Sequence, residues 1–497
     1  MLELAFEALK IVLDPTRLGI MLIGIVIGSV IGVLPGLGGT VGMAIVLPFV
    51  FGMDPYTGMA LLIGMTAVIH TADTFPSVLL GIPGSAGSQA TIMDGFPLAK
   101  KGEGARALGA GFMASLIGGV FGGIALFLSI PIVKPLILSF GSPELLMLAL
   151  LGLSMVGILA GKNPITGIAS GVLGLVLGSV GAAPSVTEYR YSFDLLYLQS
   201  GIPLPVLALS LFAFPVMIDL LAGKDSTIAG ENAELKGGIL KGIKDTLSHK
   251  FLVFRSSVLG AIIGFIPGLG GSVVDWISYG FAKQTEKNTE NFGKGDIRGV
   301  IAPESSNNAK EGGALIPTLL FGIPGSGTTA MLLGGLTLMG IQAGPKLLST
   351  DIDLTLSIIW TLVLANIFGA LACILLTKQI SKIALIPGKI LVPILLVILT
   401  VGAYQSTRHW GDIVLFFGLG VLGWIMSRLD WSRAALLIGF VLSTSVERYL
   451  WISRSRYGFE WLTNPGVIII GILIILVIVS GAIMFVRERK KEVETNE

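Results

Sequence analysis

The chain has 497 residues, of which 53% are hydrophobic and 13% charged, and its mean hydropathy is +0.87. A typical soluble domain carries about 25% charged residues, and a soluble protein of this size cannot enclose so much apolar surface. The composition therefore excludes water-soluble architectures and predicts an all-α polytopic membrane protein. A net charge of +2 argues against a nucleic-acid partner, and the single Cys373 excludes a disulfide framework. We expect no cofactor.

Apolar segments recur along the chain at the length of about 20 residues that a bilayer crossing needs. Before the first apolar segment, Glu3 and Glu7 occupy positions at which a cleaved signal peptide would carry basic residues, so we predict no such peptide. The apolar positions within residues 2–13 predict an interfacial helix in the segment 1–17. We expect about 10–13 crossings. The predicted segments are 18–34, 56–80, 104–130, 143–161, 164–182, 203–222, 251–266, 301–321, 353–377, 389–405, 411–427, 432–446 and 465–486.

A polar interruption divides the chain. Residues 223–250 predict a lysine-rich cytoplasmic connector between a first membrane repeat, 18–222, and a second, 251–465. Residues 466–497 predict a terminal helix and a tail whose basic residues place it in the cytoplasm.

Two motifs occur once in each half, in the same order. Residues 32–39 read Gly-Val-Leu-Pro-Gly-Leu-Gly-Gly, and residues 264–271 read Gly-Phe-Ile-Pro-Gly-Leu-Gly-Gly. Further on, Gly-Ile-Pro-Gly-Ser occupies both 81–85 and 322–326. Such duplication is typical of secondary transporters, so we predict two pseudo-symmetric repeats, inverted relative to each other.

The Pro-Gly-Leu-Gly-Gly motif predicts a broken helix. Proline removes a backbone donor, and glycine permits unusual backbone angles. Unpaired backbone groups at membrane depth are tolerated where they line a cavity or are buried in protein. A packing kink is the alternative. Substrate-binding candidates from these motifs are Gly38, Gly39, Gly270, Gly271 and Ser272.

The Gly-Ile-Pro-Gly-Ser motif predicts a second kind of break. A Gly/Ser/Thr-rich helix start exposes donors that favour a carboxylate. Residues 85–99 are short for a crossing and favour a re-entrant hairpin, and Gly325 is expected to allow a close backbone approach. The substrate-binding candidates here are Gly84, Ser85, Ser88, Gly325, Ser326 and Thr328.

Polar residues between the motifs are ion-coupling candidates. Asn307 and Asn308 offer amide oxygens to a cation, although residues 304–311 could also form an aqueous loop. His70 and Asp73 share a helix face, where they could relay a proton, bind a cation, or form a satisfied buried pair.

Signatures of enzymes are lacking in the sequence. It has no glycine-rich loop ending in Gly-Lys-Ser/Thr, no His-Glu-x-x-His and no credible nucleophilic triad. We therefore predict a transporter that is not an enzyme. A channel acting without partners is the alternative, and an intramembrane enzyme is a third, disfavoured reading.

With these motifs the chain resembles the large membrane subunit of the tripartite tricarboxylate transporters, the TctA family, over about residues 20–465. The stretch 70–75 departs from the family pattern. The residues that carry the resemblance lie in 34–39, 94–99, 101–102, 106–109, 303–304, 307–309, 312–317, 322–326 and 402–404, with Asp412.

The resemblance implies an importer of three parts in a bacterial inner membrane. A periplasmic solute-binding protein captures an organic acid, a tricarboxylate or another carboxylated metabolite, and a small four-helix membrane subunit accompanies the large one. It further implies that a Na+ or H+ gradient drives symport into the cell.

The predicted inversion places the two Pro-Gly-Leu-Gly-Gly breaks in mirror-related orientation across the bilayer. After Cys373→Ala removes the native thiol, single cysteines beside residues 32–39 and 264–271 should react with an impermeant reagent from opposite faces. Reaction from the same face would contradict inverted repeats.

Overall fold

The computed structural model describes residues 1–159, 163–184, 186–222, 238–383 and 388–496, and these are mainly helical. A two-stranded hairpin, β1 (Gly181–Ala182) with β2 (Tyr189–Arg190), joins α9 to α10. The helices are α1 (Leu2–Val12), α2 (Pro15–Val33), α3 (Gly38–Val46), α4 (Pro55–Ala72), α5 (Thr74–Leu79), α6 (Ile92–Lys100), α7 (Gly104–Leu138), α8 (Ser142–Leu159), α9 (Pro164–Gly178), α10 (Leu196–Gln199), α11 (Leu204–Ala208), α12 (Phe214–Ala222), α13 (Ile239–Ser248), α14 (Lys250–Phe265), α15 (Gly270–Thr285), α16 (Arg298–Leu315), α17 (Gly327–Leu338), α18 (Ile352–Leu375), α19 (Thr377–Ile383), α20 (Gly388–Gln405), α21 (Trp410–Arg428), α22 (Arg433–Tyr457) and α23 (Pro465–Asn496).

Eight helices among the described residues are long and apolar enough to cross a membrane, and five shorter helices are also apolar. The prediction of an all-helical polytopic membrane protein is confirmed, while the number of crossings stays a prediction. The eight are Pro15–Val33, Pro55–Leu79, Gly104–Leu138, Leu204–Leu221, Ile352–Leu375, Trp410–Arg428, Arg433–Tyr457 and Pro465–Ile483.

Both Pro-Gly-Leu-Gly-Gly motifs interrupt a helix, as predicted. In the first, α2 ends at Val33 and α3 begins at Gly38, with Gly36 at φ +80° between them. In the second, α14 ends at Phe265 and α15 begins at Gly270. Gly268 lies there at φ +91°, a left-handed conformation that glycine adopts without strain.

Glycines on α2 and α14 allow those helices to lie unusually close to α4 and α16. A Cβ added at Gly28 would lie 2.3 Å from the carbonyl oxygen of Met65, and one at Gly32 would lie 2.6 Å from that of Ile69. The same spacing recurs on α14, where Gly260 and Gly264 would each bring a Cβ to 2.3 Å from a carbonyl oxygen of α16. This is the small-xxx-small packing of membrane helices. The match between halves supports two repeats, whose inversion stays a prediction.

Helix α16 is polar and yet buried. Apart from Arg298 and the partly exposed Glu311, its residues are buried. Glycines of α7 make this possible on a second side, because a Cβ at Gly118 would lie 2.1 Å from the carbonyl oxygen of Ser305. Helices α7 and α14 thus enclose α16, and the alternative of an aqueous loop at 304–311 is wrong.

The segments outside the two predicted repeats are also helical where described. Helix α1 packs on α18, and Trp360 Nε1 donates to the carbonyl oxygen of Ala5 at 2.8 Å. In the predicted connector, residues 223–237 lie outside the described part of the chain. The following α13 packs on α7, where Arg106 Nε donates to Asp245 Oδ2 at 2.5 Å. The domain boundaries and cytoplasmic placement stay predictions.

Two Gly→Ala substitutions, one at a crowded glycine and one at an uncrowded glycine, should differ in their effect on the melting temperature. Gly264→Ala forces a methyl group against the α16 backbone, a steric cost of about 1–3 kcal/mol, and should lower the melting temperature in detergent. Gly418→Ala, on α21 with no atom within 4 Å of an added Cβ, should leave it unchanged or raise it, because alanine favours helix by roughly 1 kcal/mol. Equal melting temperatures for the two variants would contradict the close packing around α16.

Candidate functional site

The broken segments of the two predicted repeats meet in the interior. A Cβ added at Gly39 would lie 3.4 Å from Thr328 Oγ1 and 3.5 Å from His70 Nε2, and one at Gly38 would lie 3.8 Å from Ser85 Cβ. The hydroxyls of Thr40 and Thr328 are 3.2 Å apart. The first glycine break therefore lies beside Ser85 in the first half and beside Thr328, which follows the Gly-Ile-Pro-Gly-Ser segment in the second half.

Each Gly-Ile-Pro-Gly-Ser segment ends in a serine that caps the next helical turn. Ser326 Oγ accepts from the amide of Thr329 at 3.2 Å, and Thr329 Oγ1 accepts from the amide of Ser326 at 2.9 Å. Ser85 and Ser88 repeat this reciprocal capping in the first half. In the second half the amides of Gly327 and Thr328 lie between the capped groups, at the positive end of α17.

A buried ionic cluster joins α4 to α16 beside these caps. His70 Nε2 lies 3.0 Å from Glu311 Oε1, and Lys310 Nζ lies 2.8 Å from the same oxygen. His70 Nδ1 is 3.7 Å from Asp73 Oδ2, and that oxygen accepts a hydrogen bond from the Ser85 hydroxyl. Glu311 therefore pairs with both basic groups, His70 and Lys310. Asp73 has only the Ser85 hydroxyl as a close partner, because the His70 imidazole is 3.7 Å away.

The two asparagines of α16 differ in their contacts. Asn308 Nδ2 donates to Thr71 Oγ1 and to Asn366 Oδ1, both at 2.9 Å, which ties α16 to α4 and α18. Asn308 Oδ1 finds no donor among the described residues. Asn307 is fully buried, and neither its amide oxygen nor its amide nitrogen has a partner there.

Sequence reasoning missed two buried carboxyl groups. Glu304 is fully buried and accepts hydrogen bonds from three hydroxyls, those of Thr74 (2.9 Å), Thr91 (2.8 Å) and Ser115 (3.0 Å). Asp275 of α15 is fully buried as well. The helical spacing of Glu304, Asn307, Asn308 and Glu311 could have grouped them on one side of α16. For Asp275 the sequence gives no indication of burial, because the surrounding segment is amphipathic.

The predicted site residues are brought together with specific exceptions. Gly38, Gly39, Ser85, Ser326 and Thr328 converge, together with the four ion-coupling candidates on α4 and α16. Gly270, Gly271 and Ser272 begin α15, but their side-chain surroundings lie outside the description.

The expectation that Gly325 allows a close backbone approach stays a prediction, but within the protein this glycine is not crowded. A Cβ there would make an ordinary contact of 3.5 Å with Pro267, and its φ is not positive. Gly84 is the crowded equivalent, because an added Cβ would lie 2.8 Å from the backbone of Asp73.

A small cavity borders the cluster. Its volume is about 10 Å³, which is room for about one water molecule. It is lined by Thr66, Glu311, Thr328 and Thr329 together with apolar groups of α4, α16, α17 and α18. This cavity is too small to hold an organic acid.

A bundle of apolar helices around a buried polar helix and paired helix breaks is the architecture of a membrane transporter. Residues 18–438 match the model of the tripartite tricarboxylate transporter TctA family, and the chain belongs to this family. The sequence resemblance is thereby confirmed. Membership implies a membrane-embedded transporter that works with partner subunits.

Two relatives come from Agrobacterium vitis. An uncharacterized 52.8 kDa protein in the TAR-I ttuC' 3' region is 30% identical over 468 residues, which cover 93% of this chain and 92% of the relative. An uncharacterized protein in the TAR-II ttuC' 3' region is 32% identical over 210 residues, covering 41% of this chain and 86% of the relative. No solved structure matches the chain.

Alanine substitutions at Gly84 and Gly325, which occupy matching motif positions, should have different effects. Gly84→Ala drives a methyl group into Asp73 and should lower both stability, by about 1–3 kcal/mol, and uptake. Gly325→Ala should leave stability near the wild-type level, because its Cβ has ordinary room within the protein. Melting temperature measures the difference between the two variants, and an equal loss of stability in both would contradict the asymmetry.

Proposed function

We propose that the protein is the large membrane subunit of a binding-protein-dependent secondary transporter that imports an organic acid, driven by a cation gradient. The observation that carries this proposal is the convergence of the first glycine break with both serine-capped segments beside the polar helix α16. Gly38 lies beside Ser85, and the next residue, Gly39, lies beside Thr328, so three separate segments come together around the first glycine break. Broken helices that meet at a polar centre are how secondary transporters bind substrate and ion.

A carboxylate is the substrate group that this point suits. The start of α17 offers the amides of Gly327 and Thr328, and the Thr40 and Thr328 hydroxyls stand 3.2 Å apart beside it. Helix N-termini favour anions, and hydroxyls add donors without a fixed buried charge. Gly38, Gly39, Gly84, Ser85, Ser88, Gly325, Ser326 and Thr328 would surround the substrate.

The coupling cation is proposed to act at α4 and α16. Asn307, Asn308 and Asp73 each leave a buried side-chain oxygen without a donor among the described residues, and His70 lies against Glu311. A cation bound there would offset the negative charge beside the carboxylate, which gives a physical reason for coupling the two. The candidate cations are Na+ and H+, which uptake under separate Na+ and H+ gradients distinguishes.

Family membership supports the proposed partners. A periplasmic solute-binding protein would deliver the substrate, and a small four-helix membrane subunit would assemble with this chain in the bacterial inner membrane. A channel would require neither partner, and the cavity of about 10 Å³ argues against an open pore.

Reconstituted uptake tests the whole proposal. Vesicles that hold this chain alone should accumulate little organic acid. Addition of the small subunit, the loaded binding protein and an inward Na+ or H+ gradient should give uphill uptake. Rapid flux from this chain alone, without a gradient, would identify a channel.

Ser326→Ala tests the carboxylate site, because it removes both a helix cap and a hydroxyl beside the proposed substrate. Loss of one hydrogen bond to a charged group costs about 1.5–3 kcal/mol, so the apparent KM should rise roughly 10- to 100-fold. Ser432→Ala is the matched control, since Ser432 caps α22 in the same way by accepting from the amide of Ala435 at 3.2 Å. An equal rise in KM for both variants would show that capping alone explains the effect.

A further inference from the structure

Residues 84–91 form a loop that lies against polar side chains of α15, α16 and the junction of α4 with α5. Its Ser85 hydroxyl contacts Asp73, between α4 and α5, and its Thr91 hydroxyl donates to Glu304 of α16 at 2.8 Å. Between these ends, the amide of Ala90 donates to Asp275 of α15 at 2.6 Å. The middle of the loop therefore lies between α15 and α16.

Asp275 is a fully buried carboxyl group with half of its acceptors unused. Its Oδ2 accepts from Ala90, but its Oδ1 has no donor in the described part of the chain. No basic side chain forms an ion pair with it among the described residues. Burying an ionised carboxylate without a counter-charge is strongly unfavourable.

Asn307 faces the same loop. An added Cβ at Gly87 would lie 2.4 Å from Asn307 Oδ1, so the amide group rests directly on the backbone between Ser85 and Ala90. Both of its polar atoms lack partners there, although the side chain is fully buried. Native proteins rarely leave such a group unsatisfied, so each case requires an explanation.

Acidic groups predominate among the titratable side chains around the loop. Asp73 and Glu304 lie near enough to Asp275 to interact with it electrostatically, and Lys310 is the basic group that opposes them. Lys310 is already bound to Glu311 at 2.8 Å. The hydroxyls around Glu304 supply hydrogen bonds but no compensating charge.

We propose that Asp275 Oδ1 and Asn307 Oδ1 are ligands of a Na+ ion held against the 87–90 backbone. This deepens the proposed function, on which it rests, by placing the coupling ion on the α15–α16 side of the loop. Asp275 is a ligand that sequence reasoning did not include. Ser85 and Ser88 belong to the same loop, so occupation of the site orders one wall of the proposed substrate site.

The ligand chemistry favours Na+ over the alternatives. Carboxylate and amide oxygens are hard ligands that suit hard cations, and an amide oxygen does not take up a proton near neutral pH. No three His, Cys, Asp or Glu side chains converge on a metal-binding point among the described residues. One carboxylate with neutral oxygens suits a monovalent ion better than Ca²⁺, which draws on several carboxylates.

The protein contains its own optical reporter for this site. Trp276 directly follows Asp275 in α15, and its indole Nε1 donates to Gln89 Oε1 of the loop at 3.3 Å. Ordering of the loop by Na+ should therefore change the emission of Trp276. The Trp276→Phe variant should lose that change while still being stabilised by Na+.

The test is a Na+ titration of the purified full chain at constant ionic strength, with choline as the replacement ion. We follow tryptophan emission and melting temperature. Wild type should show a saturable response to Na+. Asp275→Asn keeps the size and the acceptor for Ala90, and it should weaken the apparent Na+ affinity at least tenfold, as should Asn307→Ala.

The double variant Asp275→Asn/Asn307→Asp exchanges the two groups and keeps the total charge. It should recover much of the Na+ response, which a merely structural role would not predict. Asp412→Asn is the matched control, because Asp412 is equally buried but already accepts from Tyr197 and Thr407. It should retain the wild-type Na+ affinity even if it is less stable.

The outcomes separate this site from the transport proposal. Na+ affinity unchanged in both Asp275→Asn and Asn307→Ala would overturn the site, even if uptake proves to depend on Na+. A response to pH without a response to Na+ would overturn it in favour of a proton. Na+ binding that these variants abolish would uphold the site, even if reconstituted uptake failed.

Discussion

The structure depends on burying one polar helix in an apolar bundle. Residues 298–315 have too few apolar side chains to face lipid, and yet α16 is almost entirely enclosed. Close glycine contacts with α7 and α14 exclude lipid from its backbone, and hydroxyls and an amide supply partners for Glu304 and Asn308. Such an arrangement is costly, so the polar groups of α16 that lack partners among the described residues are the candidates for binding a solute.

The glycine-rich breaks place backbone groups beside this helix. A continuous α2 or α14 would satisfy its own amides and carbonyls and would offer nothing to a solute. Because the chain turns at Gly36 and Gly268, the start of α3 reaches His70 and Thr328. In the proposed mechanism the substrate carboxylate would bind at the start of α17 and the coupling cation beside the 84–91 loop, so that binding of one would order the site for the other.

The sequence predicted the helical membrane class and both helix breaks, since composition and Gly/Pro placement are local signals. It did not predict which glycines are crowded. Gly84 and Gly325 occupy matching motif positions. A Cβ added at Gly84 would overlap Asp73, whereas one added at Gly325 would make an ordinary contact with Pro267. The sequence also did not indicate that Asp275 is buried. This burial results from the packing of α15 against the 84–91 loop, a tertiary contact that the periodicity of the sequence does not reveal.

Access to the centre tests the account most directly. In a Cys373→Ala background, Thr328→Cys places a thiol between the first glycine break and the α17 cap. With the partner subunits present, it should react with a small impermeant thiol reagent, and Na+ plus the organic acid together should slow that reaction at least tenfold. A reaction rate that neither Na+ nor substrate changes would contradict the claim that the polar centre around α16 is the transport site.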